Sequence, residues 1–252
     1  MKIKRILCAV AVVVLAVSMC VGVAACGPNA KSVRGEEVSE SEWKAAFEAL
    51  TSKDAEFTVE SLAKASVKYE HETMIHKTKW TANTMASCTY TKKGPIESKI
   101  GYSKVSYKGD KDSAENELGQ KAGKKDIELY SKIEDNVIYN YEKNLNDEWE
   151  REEAYSSVVS GELSYIIYMA NRYDYFEYSK EHKGYVVKGY EEGDALTVYK
   201  FKGGKLVAIY LYSEDFEEES EAQEYSKSTT ITECHITIKY TAKEIKLPTV
   251  GK

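Results

Sequence analysis

The feature that most constrains the fold is a tyrosine-rich β pattern that fills most of the chain after residue 56. The sequence holds 20 tyrosines against five phenylalanines, and residues 73–91 and 100–107 together are rich in threonine, tyrosine, isoleucine and valine. Tyrosine suits a sheet surface that is half in water, because its ring packs while its hydroxyl stays solvated. The pattern predicts a β-rich fold with an exposed sheet face; an aromatic-lined groove for a sugar or a lipid is the alternative.

Short turn signals divide this part of the chain into strands. The adjacent glycines 203–204 are the strongest, because glycine supplies the positive φ of a two-residue hairpin turn. Further turns are predicted at residues 92–95, 135–136, 182–184 and 192–194. The C-terminal third is therefore expected to be an antiparallel meander.

Two segments have the period of a helix. Ser39 and Glu42 form a capping-box pattern, and the apolar residues that follow fall on one helical stripe: Trp43, Ala46, Phe47 and Leu50. A second helix is predicted within residues 153–171, with Ser160 as its N-cap and apolar residues on one face: Val159, Leu163, Ile166, Ile167 and Ala170. Both helices are expected to pack against the sheet.

Two polar stretches interrupt the β pattern. Residues 108–125 contain three glycines and are predicted to be a long mobile loop, with a lid over a binding site as the alternative. Residues 214–224 are acidic and are predicted to form a loosely helical excursion. In the final strand, Ile231 and Ile236 have opposite parity, which predicts a β-bulge or a change of register near Glu233.

The N-terminus has the organisation of an export signal. Lys2, Lys4 and Arg5 precede an apolar run over residues 6–16, and Val-Ala-Ala-Cys-Gly ends the segment at residues 23–27. This order resembles a bacterial lipoprotein signal peptide. An uncleaved membrane helix is the alternative, because residues 6–25 are nearly long enough to span a bilayer.

The lipoprotein resemblance implies an address and an anchor. Cleavage between Ala25 and Cys26 would leave Cys26 as the first residue, carrying diacylglycerol and further acylation such as palmitate. The protein would then be tethered to the extracytoplasmic face of the cell membrane, since two acyl chains anchor a protein stably. Residues 1–25 are assigned to the signal peptide, 26–38 to a flexible tether and 39–252 to a single domain.

Removal of the signal would make the chain more acidic. Of 252 residues, 25 would leave and 227 remain, and the loss of three positive charges takes the formal charge from −6 to −9. This length permits a real hydrophobic core. The charge argues against nucleic acid as a partner, and against adhesion to anionic lipid head groups.

Two cysteines, Cys88 and Cys234, would remain after cleavage. An even number of cysteines in an exported chain permits a disulfide between them. Cys234 also shares strand parity with Ile236 and Ile238, so a buried thiol is the alternative.

No motif for a metal, a cofactor or a catalytic centre emerges. The four histidines are expected at the surface, since the five-residue spacing of His71 and His76 suits no metal pair on a helix or a strand. Residues 110–115 begin like a calcium loop but lack its glycine and third ligand. No nucleophile elbow, phosphate loop or dinucleotide fingerprint occurs. No cofactor and no enzymatic activity are expected.

The order of elements resembles the LolA-like and LppX-like lipoproteins, and similar endings occur in uncharacterised lipoproteins of Gram-positive bacteria. The residues that carry the likeness are Trp43 and Phe47, Phe-Lys-Gly-Gly-Lys-Leu at 201–206, and Ile-Lys-Leu-Pro at 245–248. The resemblance implies an α+β fold, in which a curved antiparallel sheet forms a half-barrel with two helices packed on its concave face. Members with known roles carry lipids or acylated proteins in the hollow.

The expected function is therefore the binding of a hydrophobic or amphiphilic ligand, a lipid or an acylated protein, by a membrane-anchored lipoprotein. The alternative is a structural or interaction lipoprotein of the cell envelope, whose core is filled by its own side chains. The sequence assigns no ligand-binding residues, because a shared fold does not transfer function.

Overall fold

The structure is a computed structural model that describes residues 29–159, 168–221 and 224–250. The strands are β1 (Glu56–Thr73), β2 (Lys77–Lys93), β3 (Ile96–Gly109), β4 (Gly123–Glu134), β5 (Val137–Lys143), β6 (Trp149–Ala154), β7 (Phe176–Ser179), β8 (Gly184–Val187), β9 (Leu196–Lys202), β10 (Lys205–Glu221) and β11 (Glu224–Lys239). Two α-helices have described bounds, α1 (Glu40–Thr51) and α2 (Lys111–Leu118), and short 3₁₀ turns lie at Ala30–Ser32, Met169–Asn171 and Tyr173–Tyr175.

All eleven strands form one antiparallel sheet. Their order is β6-β5-β4-β3-β2-β1-β11-β10-β9-β8-β7, so each strand lies beside the next one along the chain, except for β6 and β7, which lie at opposite edges of the sheet. The first and last strands of the chain, β1 and β11, pair at the centre of the sheet. The central strands β1, β2, β10 and β11 are 16–18 residues long.

The sheet has two faces of different character, which we call the helix face and the groove face. Alternate residues of a strand point to opposite sides. On β1, the helix face takes Phe57 and Val59, and the groove face takes Lys64 and Ser66. Both α1 and α2 pack on the helix face.

An aromatic core built around Trp43 fills the helix face beneath α1. The Trp43 ring centre lies 5.0 Å from that of Phe201 and 5.2 Å from that of Phe176. Its indole N–H donates to the carbonyl of Met169 at 3.2 Å. The rings that surround it are Phe47, Tyr173, Phe176, Tyr185, Tyr199 and Phe201.

The first predicted helix and the predicted turns are confirmed. α1 begins after Ser39, whose hydroxyl accepts from the backbone N–H of Glu42 while the Glu42 carboxylate accepts from the backbone N–H of Ser39. All four residues of the predicted stripe are buried. The hairpin between β9 and β10 turns at Gly203 and Gly204, both at positive φ, a backbone conformation that glycine adopts at no steric cost.

The predicted mobile loop at 108–125 is wrong. β3 continues to Gly109, α2 follows, and β4 begins at Gly123. Asp110 caps α2 by accepting from the backbone N–H of Ser113 at 3.1 Å, and Ala114 is buried against Trp80 and Ala82. The N-cap and the packing of Ala114 and Leu118 against the sheet order this segment.

The two predicted irregularities near the C-terminus are also wrong. Residues 214–221 continue β10 and pair with β11 instead of forming a helical excursion. The register of β11 with both neighbours runs without a bulge near Glu233. Ile231 faces the groove and Ile236 the helix side, because this central strand has apolar neighbours on both faces.

The predicted α+β fold class, a half-barrel with two helices on its concave face, is therefore wrong. One large, open and curved sheet of eleven strands accounts for most of the described chain, and α1 and α2 contain only 12 and 8 residues. Residues 153–154, assigned to the second predicted helix, lie in β6. Most of that helix falls on residues 160–167, outside the described residues.

The two ends of the groove face are covered by chain termini. Ala30 and Val33 pack over β8, β9 and β10 at one side of the sheet. Ile245 and Leu247 pack against Tyr130 and its neighbours on β4 to β6 at the other. None of the described segments outside the sheet covers the middle of this face, which contains the groove described next.

Candidate functional site

A groove of about 400 Å³ lies in the middle of the groove face. Its walls come from the long strands β11, β1, β2 and β3, and its lining side chains include Lys64, Ser66, Asn83, Met85, Lys104 and Ile231. The volume falls within the range of roughly 300–1,000 Å³ that is usual for small-molecule sites. This size permits a ligand of modest length.

The strand register places the groove residues in rows. Lys64, Met85 and Lys104 lie directly opposite one another on β1, β2 and β3. Ser66, Asn83 and Ser106 form the next row, and Lys68, Thr81 and Lys108 the third. A row of small polar side chains therefore lies between two rows that each carry a lysine at both ends.

We call Lys64, Lys68, Lys104 and Lys108 the lysine quartet. Two strand spacings separate the ends of a row by roughly 10 Å, and four residues along a strand span about 13 Å. All four side chains are exposed, and none forms an ion pair with a carboxylate of the described residues. The quartet therefore concentrates positive charge on a chain whose formal net charge is negative.

Three other lysines of the same face form ion pairs with carboxylates. Lys77 binds Glu72, Lys79 binds Glu70, and Lys124 binds Asp126. Within the middle row, the Ser66 hydroxyl donates to the Asn83 side-chain oxygen at 3.1 Å. This contact leaves the Asn83 amide N–H groups as donors with no partner among the described residues.

A buried polar group lies at the β11 edge of the groove. Glu233, which lines the groove, accepts from His235 Nε2 at 3.2 Å and from the Tyr210 hydroxyl at 3.2 Å. Burial lowers the pKa of His235 and raises the pKa of Tyr210. Glu233 lies opposite Lys64 in the strand register, but its described partners are His235 and Tyr210 rather than the Lys64 ammonium group.

The histidines differ from the prediction in one case. His235 is 8% exposed, so the prediction of a surface position is wrong for this residue. His71 contacts Glu224 at 3.0 Å and His76 contacts the Thr78 hydroxyl at 2.7 Å. No group of three or more potential metal ligands lies within the part of the chain that the structure describes.

The N-terminal segment lies beside the groove edge. Residues 29–38, assigned to the tether, lie against the sheet: the Lys200 ammonium donates to the carbonyls of Lys31 and Val33, each at 2.8 Å. Lys200 is 1% exposed, and burial lowers its pKa to about 8. The Lys31 ammonium lies 5.4 Å from the centre of the Tyr210 ring, and Tyr210 contacts the groove residue Glu233.

The other predicted site residues lie apart from the groove. Cys88 and Cys234 are buried on the helix face, opposite Ser61 and Ala63 of the intervening β1 strand. Two strand spacings put their Cα atoms roughly 10 Å apart, beyond the limit of about 7 Å for a disulfide, so this arrangement holds no bridge between them. Ala25 and Cys26 lie outside the described residues.

Sequence reasoning also missed a buried charged cluster on the helix face. Glu97 is fully buried, accepts from the Lys92 ammonium at 3.1 Å and accepts from the backbone N–H of Val159 at 2.9 Å. Ser131 accepts from the backbone N–H of Val158 at 2.8 Å. This cluster fixes the chain after β6 to the sheet and has no opening to the groove, which lies on the opposite face.

Comparison with known proteins assigns no relative: no protein-family model and no curated protein matches this chain. No helix among the described residues is long and apolar enough to cross a bilayer. The groove therefore has to be interpreted from its own chemistry.

Proposed function

We propose that the protein is a lipoprotein anchored through Cys26 to the extracytoplasmic face of the cell membrane, and that its groove binds an amphiphilic ligand, a lipid or an acylated protein. The observation that carries the ligand-binding part is the open groove of about 400 Å³. The anchoring part rests on the signal-like sequence that ends at residue 27. The resemblance to LolA-like lipoproteins remains a prediction.

The chemistry of the groove supports an amphiphile. Met85 and Ile231 supply apolar surface, while Lys64, Lys104 and Asn83 supply charge and hydrogen-bond donors within the same 400 Å³. Apolar walls with a few placed polar groups are typical of sites that orient a ligand with one polar end.

The course of the N-terminal segment also supports this function. Three peptide units separate Cys26 from Asn29, and a chain of this length spans at most about 11 Å. An acylated Cys26 would therefore hold this side of the sheet close to the bilayer surface. The ligand would exchange between the membrane and the groove over a short distance.

A structural or interaction lipoprotein is the second candidate, and the aromatic core favours it. The helix face around Trp43 is filled by Phe47, Tyr199 and Phe201, all at most 1% exposed. Among the described residues, the space between α1 and the sheet is therefore filled by side chains. The resemblance to LolA-like lipoproteins instead implies a ligand-binding hollow on the helix side of the sheet. If the groove proves empty in the cell, this second function is the one that remains.

The anchoring proposal is tested by labelling cells that produce the full chain with radioactive palmitate. Cys26→Ser should abolish incorporation, because the acylated thiol is gone, and Cys20→Ser should leave it unchanged. Incorporation that persists in Cys26→Ser would show that the anchor is assigned to the wrong residue.

The ligand-binding proposal is tested with a photoactivatable fatty acid that cells incorporate into their lipids. After irradiation, cross-links should map to peptides containing residues 64–66, 83–85 and 104–106. Met85→Trp should reduce them by filling the groove, whereas Ile100→Trp, on the same face outside the groove, should not. Absence of groove cross-links in the wild-type protein would favour the structural alternative.

A further inference from the structure

The lysine quartet identifies the chemical class of ligand that the groove accepts. Lys64 and Lys104 line the groove on either side of Met85, and their Cα atoms are roughly 10 Å apart by strand spacing. Two flexible side chains at this separation can close on a single anion between them. Neither has a carboxylate partner in the described residues, so an anion can bind there without breaking an ion pair of this part of the chain.

The row between the lysines supplies neutral donors at the same place. The Asn83 amide N–H groups have no partner among the described residues, and the Ser66 hydroxyl orients this amide by donating to its oxygen at 3.1 Å. Ammonium groups combined with amide donors suit a multidentate oxyanion such as a phosphate, which accepts several hydrogen bonds at once. Among the described lining residues, Glu233 alone carries a carboxylate, and its described partners are His235 and Tyr210.

We infer that the ligand of the groove carries a phosphate-class anion, which Lys64 and Lys104 bind over the Ser66–Asn83–Ser106 row. This inference rests on the proposed function, because it assigns the polar end of the same amphiphile. The formal net charge of the chain is negative and argues against adhesion to anionic head groups. The lysine quartet nevertheless makes one local surface positive, and an anion can bind there. Lys68 and Lys108 extend the positive field along the strands.

The test uses washed membranes from cells that produce the full chain and two photoactivatable probes that differ by one group. One is a monoacylglycerol with a 12-carbon chain, and the other is its 3-phosphate. Labelling of the groove peptides is normalised to labelling of a host membrane protein. In the wild-type protein, the phosphate probe should label these peptides about tenfold more than the neutral probe, as expected for two charge-assisted contacts at a partly exposed site.

Lys64→Gln/Lys104→Gln should reduce labelling by the phosphate probe to the level of the neutral probe. The matched control is Lys188→Gln/Lys202→Gln, which removes the same charge at two exposed lysines outside the groove and should change nothing. High salt should weaken labelling by the phosphate probe, because ions screen exposed charges.

The outcomes separate the two proposals. Equal labelling by both probes, unchanged in Lys64→Gln/Lys104→Gln, would overturn the phosphate assignment and leave amphiphile binding intact. No groove labelling by either probe would overturn both. Competition by glycerol 3-phosphate would identify the ligand as a soluble phosphate compound, and its failure to compete would identify a lipid head group; both results support the anion assignment.

Discussion

The two faces of the central strands are made from alternate residues of the same segments, yet the side chains of one face are buried and many of those on the other are exposed. On the helix face, Val59 and Tyr90 are each 1% exposed and pack into the core beneath α1. On the groove face, Lys64 and Lys104 are exposed and unpaired among the described residues. The difference arises because α1 and the segments after β6 cover one face, whereas the terminal segments cover only the ends of the other.

The comparison indicates that the helix face stabilises the fold, whereas the groove face has side chains available for binding. On the helix face, the charged groups of the buried Glu97 cluster have partners: Glu97 accepts from Lys92 and from a backbone N–H. In the centre of the groove face, Lys64, Lys104 and the Asn83 amide have no partners among the described residues, so their polar groups add little to folding. Side chains that do not stabilise the fold and share one open site are candidates for recognition.

The largest expected effect is on the helix face. Trp43→Ala should lower the free energy of unfolding by roughly 4–5 kcal/mol, because it leaves a cavity among the rings that surround Trp43. Urea unfolding monitored by circular dichroism measures this loss. Ile100→Ala on the groove face, where Ile100 is 42% exposed, should cost about 1 kcal/mol or less. Equal losses would contradict the assignment of the core to one face.

The next effect compares two ion pairs. Glu97→Ala should destabilise the protein by about 3 kcal/mol, because the buried Lys92 ammonium and the backbone N–H of Val159 both lose their acceptor. Lys92→Met/Glu97→Met should recover part of this loss by removing both charges. Glu70→Ala, which breaks the exposed pair with Lys79 on the groove face, should leave the unfolding midpoint unchanged. A large effect of Glu70→Ala would show that surface charges hold the sheet together.

A smaller effect depends on pH. Burial lowers the pKa of Lys200 to about 8 from its ordinary value of 10.5, so between these values the unfolded chain binds a proton that the folded protein does not. Stability therefore rises with pH across this window, and the cost of the buried charge is complete below pH 8. Lys200→Met should remove this rise.

The measurement for Lys200 is a series of urea titrations between pH 7 and 10. The free energy of unfolding of the wild-type protein should increase relative to that of Lys200→Met as the pH rises above 8. Lys202→Met, at an exposed position of the same strand, should follow the wild-type curve. Parallel curves for the wild-type protein and Lys200→Met would mean that Lys200 has an ordinary pKa.

The smallest expected effect is on the groove lysines. Lys64→Gln/Lys104→Gln should leave the midpoint and slope of urea unfolding unchanged, because both side chains are exposed and unpaired among the described residues. A loss comparable to that of Glu97→Ala would show that these lysines support the fold, and would remove the contrast between the two faces.

Features determined by a few consecutive residues could be predicted from the sequence. The capping box at Ser39 and the stripe at Trp43 specify α1, because a helix buries side chains at regular spacing and needs only its own cap. The glycines at 203–204 specify a hairpin turn for the same local reason. The helix α2 was not predicted because its local signal is weak. Asp110 is its N-cap, but no strong apolar stripe follows in the sequence.

The lengths of the strands could not be predicted, and this is why the fold class was wrong. Residues 214–221 are acidic and have little β propensity, yet they pair with β11 along their whole length. Strand propensity depends on the neighbouring strand more than on the residue itself. Composition therefore predicted an excursion where tertiary pairing extends a strand.

The sequence by itself determined the alternation of residues along each strand, the turns between strands and the signal-like N-terminus. Lys64 and Lys68 on one strand, and Lys104 and Lys108 on another, already share parity in the sequence. Only the tertiary structure decided that these two pairs meet across β2, that His235 is buried and that α1 covers the opposite face. The reason is physical: spacing along a chain assigns a side chain to a face, but the register between strands, set by contacts distant in sequence, decides which side chains become neighbours.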